Sequence, residues 1–75
     1  MDAMQRDQRA KVLADLRQLE AGVPNLDLKA LTGHPGWMRL RSGDWRVLYR
    51  STGDGLHVAR VVNRRDLERA VRTLP

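Results

Sequence analysis

The sequence predicts an α+β domain: an N-terminal helix packed on a three-stranded antiparallel β-meander, closed by a short C-terminal helix. Three observations predict it. Apolar residues recur at helical spacing near the N-terminus, three short runs rich in β-formers follow, and helical spacing returns at the C-terminus.

Residues 3–21 read as an amphipathic helix. Val12, Leu16 and Leu19 recur at i, i+4, i+7, Leu13 widens the stripe, and Arg9, Asp15, Arg17 and Glu20 take the wet side. Asp2 is the expected N-cap, Asp7 and Lys11 have the spacing of an ion pair, and Gly22 then Pro24 end the helix. Residues 25–36, "NLDLKALTGHPG", hold no sustained period and read as an irregular connector whose Leu26, Leu28 and Leu31 patch the core edge. Strands are expected over 37–41, 45–50 and 56–62, because "SGD" and "STGDG" between them carry the Gly and Asp that hairpin turns need. In the tail, "NRRDLERAVRTLP", Leu67, Ala70, Val71 and Leu74 share one helical face, with Asn63 as N-cap and Asp66 placed to answer it.

A chain of 75 residues is one domain, 1–75, with a small core. It has no cysteine for a disulfide, and His34 and His57 stand apart without the ligand spacing of a metal site, so neither metal nor cofactor is expected. No apolar run is long enough to span a membrane and the N-terminus has no secretory apolar stretch, so a cytoplasmic protein is the default. The formal charge is +5, and only Lys11 and Lys29 among the 14 cations are not arginine. GC-rich codon usage produces such a bias, and so does selection for guanidinium forks that grip phosphate.

Strand parity decides where the arginines go. An even first turn places Arg39, Arg41 and Arg46 on one face of the hairpin and Met38, Leu40, Val47 and Tyr49 on the other. An odd turn would bury an unpaired guanidinium on the core face, which is costly. Arg64 and Arg65 open the last helix, where free backbone N–H groups already attract anions. Five arginines on one side point to an anionic partner. Trp37 and Trp45 are candidates for base stacking as well as for packing. The face of Arg60 is left open by the pattern.

"LTGHPGWMRLRSGDWRVLYR" followed by "GLHVARVVNRRDLERAV" resembles the RelE/ParE superfamily of type II toxin–antitoxin toxins over residues 29–72. The resemblance implies a small antiparallel sheet under N-terminal helices. In the RelE branch it implies ribosome-dependent mRNA cleavage by the open sheet face; in the ParE branch, poisoning of DNA gyrase without nuclease activity. It implies an antitoxin whose C-terminal segment wraps the toxin. Carried over by position, Arg39 stands where the RelE branch has a catalytic lysine, Arg46 at its transition-state arginine, and Arg64 at the first arginine of the last strand's end. Arg41, Arg65 and Trp37 are then the residues expected to hold flanking RNA. Trp37 also replaces a second lysine, Asn63 a histidine and Glu68 a tyrosine, and the chain opens almost directly on what is the family's second helix.

The expected function is therefore the toxin of a toxin–antitoxin pair, a ribosome-dependent mRNA endonuclease acting by 2′-OH attack. The alternatives are a gyrase inhibitor or an inactive remnant that only binds antitoxin. With the family's first strand and helix lacking, a truncated toxin domain is expected, and the isolated chain is expected to dimerise, aggregate or melt readily.

Overall fold

A computed structural model describes residues 5–74. Helix α1 spans Arg6–Glu20, and strands β1 (Asp27–Ala30), β2 (Met38–Ser42), β3 (Trp45–Thr52) and β4 (Gly55–Asn63) follow. A 3₁₀ turn, Arg64–Asp66, leads into the short helix α2, Leu67–Val71. The sheet is antiparallel throughout, in the order β1-β2-β3-β4.

At the start of α1, Gln5 N donates to Gln8 Oε1 at 3.0 Å; the expected cap Asp2 lies outside the described residues. Lys11 pairs not with Asp7 but with Asp15 one turn further on, at 3.0 Å. Asp15 is the better partner because Ser42 Oγ, fully buried on β2, also donates to it at 2.7 Å. The helix ends as the Gly22 signal predicts. Gly22 takes φ 76°, its N–H donates to Leu19 O at 3.1 Å, and Val23 N–H reaches Gln18 O at 3.0 Å, which together make a Schellman motif.

The meander has a fourth strand that the sequence reading left inside a connector. Asp27–Ala30 pairs with Met38–Arg41, Leu28 opposite Leu40 and Lys29 opposite Arg39. Asp, Lys and Ala are poor strand formers, and all four residues are exposed at the sheet edge, so neither propensity nor burial marks them. Pairing with β2 alone makes them a strand. The boundaries of the other strands shift by a residue or two.

The β2–β3 hairpin turns on two residues, Gly43 and Asp44, with Gly43 at φ 59°, as the first central position of a type II′ turn demands. The register is the even one: Arg41 faces Arg46, Arg39 faces Leu48, and Leu40 faces Val47. Side chains therefore sort onto two faces. On one, Leu40, Trp45, Val47 and Tyr49 pack with Val12 under α1. On the other, Trp37 and Leu48 pack with Ala70 and Leu74 from the C-terminal segment. A bulge beside Leu48 and Tyr49 shifts β4 by one residue, so that Leu48 faces Arg60 while Tyr49 faces Val58. That extra residue is why alternation along β4 could not assign Arg60: Val58 turns to the α1 face and Arg60 to the other.

One helix does not cover its whole face. Leu13, Leu28, Val58 and Val61 stay more than a third exposed, and both β1 and β4 are unpaired edges.

Two outcomes follow from this packing. Burial pushes the Asp15 pKa up, but the hydrogen bonds from Ser42 and Lys11 and the Lys11 charge outweigh it and leave it below the ordinary Asp value. A depressed carboxyl contributes stability that is complete above the unfolded Asp range, near pH ~3.9, and is lost as pH falls through the lower folded value. Ser42→Ala should therefore cost about 1–2 kcal/mol at neutral pH, a drop of roughly 4–16 °C in Tm, with the gap to wild type narrowing below pH ~4 in thermal melts. Trp37→Ala removes the centre of the second core and should cost about 3–5 kcal/mol, enough to unfold much of the population in a denaturant titration, while Trp37→Phe retains most of the stability.

Candidate anion-binding face

The face opposite α1 is covered by α2 only in part. The remainder, toward the β2–β3 turn, is cationic. Arg39 and Arg41 reach it from β2 and Arg46 from β3, as alternation requires. Arg64 joins them because the 3₁₀ turn is tied to the hairpin: Arg64 N–H donates to Asp44 O at 2.8 Å.

Arg46 is the centre. Its residue is 8% exposed, and its Nη1 donates to Gly43 O at 2.8 Å and Trp45 O at 3.1 Å. Among the described residues no carboxylate pairs with it. Burial first, and then the charges of Arg41, Arg39 and Arg64, pull its pKa below the ordinary arginine value, with Asp27 opposing weakly. Guanidinium still stays charged under any working condition. The hairpin thus holds a rigid, desolvated cation beside three others. Such an arrangement lowers its energy by accepting an anion.

The neighbours are only partly neutralised. Asp27 Oδ1 accepts from Arg39 Nη2 at 3.0 Å, and its Oδ2 lies 3.7 Å from Arg41 Nη1. Asp44 Oδ1 lies 3.9 Å from Arg64 Nε, an exposed and weak pair. Two carboxylates therefore stand against four guanidinium groups. Arg39 is largely buried, and its Nε finds no partner.

The remaining residues expected at the site divide. Arg65 is not among the charges acting on Arg46. Its backbone N–H and Nε both turn to Asn63 Oδ1, at 3.2 and 3.3 Å, so Asn63 caps the turn as its sequence position predicts. Asp66 does not answer that cap; it precedes α2 instead. Trp37 is 6% exposed within the second core, with Arg50 stacked 5.5 Å from its ring centroid and His57 edge-on at 6.2 Å. Its packing gives it a structural role on this face. Trp45 is likewise buried, under α1. Arg60 bonds Ala59 O and Thr73 Oγ1 and so fastens the C-terminal segment to β4.

Sequence reasoning missed Asp27 and Lys29, because it did not see the strand that carries them. Alternation along β1 puts both on the arginine face. Beside them a cleft of about 420 Å³ opens between β1 and α2, lined by Lys29, Ala30, Leu31, Thr32, Arg39, Leu67 and Glu68. The described residues contain no cluster of side chains able to hold a metal ion, and no helix long and apolar enough to cross a membrane.

No family model matches the sequence, and no curated protein matches it. Among solved structures the chain is similar to the RelB–RelE antitoxin–toxin complex from Methanococcus jannaschii, with a TM-score of 0.73 and 18% sequence identity. The match covers 91% of this chain and 84% of that one. The helix, the antiparallel sheet and the short C-terminal helix therefore form a RelE-like fold.

Proposed function

We propose that this chain is the toxin of a toxin–antitoxin pair and that its arginine face binds and cleaves mRNA on the ribosome. The observation that carries this is Arg46: a guanidinium buried at a hairpin, fixed by backbone carbonyls, ringed by Arg39, Arg41 and Arg64, and unpaired by any carboxylate among the described residues. A phosphodiester supplies the missing charge. When a 2′-OH attacks the neighbouring phosphorus, negative charge grows on the phosphoryl oxygens, and a cation already desolvated and fixed stabilises that growth without reorganising. Arg39 and Arg64 flank the same group, and Arg41 is placed for an adjacent phosphate. Arg65 and Trp37, expected to hold RNA, are given no contact role in this reading.

The RelE-like fold supports the toxin assignment, and the solved neighbour, an antitoxin–toxin complex, supports an antitoxin as partner. Both fit the open flank of the α1 face, where Leu28, Val58 and Val61 await cover beside two free strand edges.

In a translation extract the wild-type chain should cut mRNA within the ribosomal A site. Arg46→Lys, which keeps a charge but loses the fork, should slow cutting about 10²–10³-fold. Arg46→Ala should be at least as slow, with melting curves reporting whether the fold survives. Intact mRNA together with cleaved, gyrase-bound DNA would move the assignment to gyrase poisoning. RNA affinity should fall steeply with salt, and each arginine removed from a phosphate contact should lower the log–log slope by about 0.7. An affinity indifferent to salt would remove the electrostatic face from the proposal.

The uncovered edges carry a further outcome. Sizing at rising concentration should show the isolated chain self-associating, and an antitoxin segment bound at 100 times its Kd should stabilise it by about 2.7 kcal/mol. A chain that stays monomeric and gains nothing from any such segment would refute this use of the flank.

A further inference from the structure

The arginine face explains how charge is stabilised, but not which groups move the protons. Arg39 cannot serve, because guanidinium does not give up its own proton at working pH. Asp27 is engaged by Arg39 and Arg41, while Asp44 makes only a weak, exposed contact with Arg64 at 3.9 Å. The neighbouring cleft supplies what is missing. Glu68, on the first turn of α2, lines one wall, and Lys29, on β1, lines the other. Arg39 lines this cleft and is also one of the charges acting on Arg46, so it is shared by the cleft and the arginine cluster. Glu68 is exposed, and among the described residues neither it nor Lys29 is tied up in an ion pair. Register fixes Lys29 directly across from Arg39 on the same face.

We infer that Glu68 and Lys29 are the proton acceptor and proton donor of the cleavage step, an assignment that rests on the proposal that the chain cleaves RNA. Glu68 carboxylate takes the proton of the 2′-OH as that oxygen bonds to phosphorus. The bond from phosphorus to the 5′ oxygen breaks, and Lys29 ammonium protonates the departing oxygen. The products are a 2′,3′-cyclic phosphate and a 5′-hydroxyl, and the protonated Glu68 and neutral Lys29 exchange protons with water to reset. No metal or other co-reactant is required. In-line displacement puts attacking and leaving oxygens on opposite sides of phosphorus, and the two residues line the cleft from different elements, β1 and α2.

The charges facing Glu68 across the cleft are Lys29 and Arg39. Along its own segment are Arg64, Arg65, Arg69 and Arg72, and from β4, beneath α2, Arg60 is bound to Thr73 and Ala59.

Single-turnover cleavage on programmed ribosomes, with product ends analysed, tests the assignment. Glu68→Gln should slow cleavage by about 10²-fold or more. Its rate should then climb about tenfold per pH unit between roughly pH 6 and 8, as hydroxide replaces the lost base, while wild type stays flatter. Glu68→Asp should recover part of the rate, and melting temperatures should be alike because the position is exposed. Lys29→Arg preserves charge but cannot donate readily, so it should be as slow as Lys29→Met. Glu68→Gln cutting at the wild-type rate, with the wild-type pH profile, would overturn Glu68 as base. Lys29→Arg cutting like wild type would overturn Lys29 as acid. A wild-type chain that cuts no RNA would remove the proposed activity, and this assignment with it.

Discussion

The burial of one guanidinium organises this protein's arginine face. Arg46 sits on β3 at the hairpin where the chain must reverse, and Gly43 alone gives the turn the backbone it needs. That turn aims two carbonyls, of Gly43 and Trp45, at Arg46 Nη1. Carbonyl partners satisfy hydrogen bonds but cancel no charge. An arginine paired with a carboxylate would be neutral and quiet, whereas this one keeps its field and is held rigid. The surrounding arginines gain nothing for stability from standing near it; their mutual repulsion is a cost that an anion on this face would relieve.

Covering both faces of so small a sheet follows from its length. A four-stranded sheet from a 75-residue chain cannot fold back on itself, so each face must recruit a helix. Helix α1 covers the middle of one face and is clamped to it by Asp15 and Ser42. The C-terminal segment covers a corner of the other through Leu67, Ala70 and Leu74 on Leu48 and Trp37. The coverage is economical on both sides. What α2 leaves bare is the arginine face, and what α1 leaves bare is an apolar flank with free strand edges. Two surfaces of different chemistry are thereby kept apart on opposite sides of one sheet.

The C-terminal segment does more than fill a core. It is short, yet it is anchored at both ends, by Arg64 N–H on the hairpin carbonyl of Asp44 and by Arg60 on Thr73. Between those anchors lies Glu68, held over the cleft beside β1. A helix of five residues has little stability of its own. Its position is set by tertiary contacts, and with it the position of the Glu68 carboxylate beside the cleft.

The sequence by itself determined the element types, the even hairpin register and the segregation of Arg39, Arg41 and Arg46 from Leu40, Val47 and Tyr49. All of these follow from local chemistry: turn residues, period-two alternation and the cost of burying an unpaired charge. It also placed the caps at Gly22 and Asn63, since those depend on neighbours a few residues away. Only the tertiary structure decided the rest. Asp27–Ala30 became a strand because β2 offered it a ladder, against its own propensities. Arg60 and Val58 parted faces because a bulge added one residue to β4. Trp37 was packed under Arg50, and Lys29 and Glu68, 39 positions apart, came to line one cleft, because folding brought separate elements together. Patterns within a strand or a turn reveal what one element prefers; contacts between elements depend on which surfaces meet, and no short-range pattern encodes that.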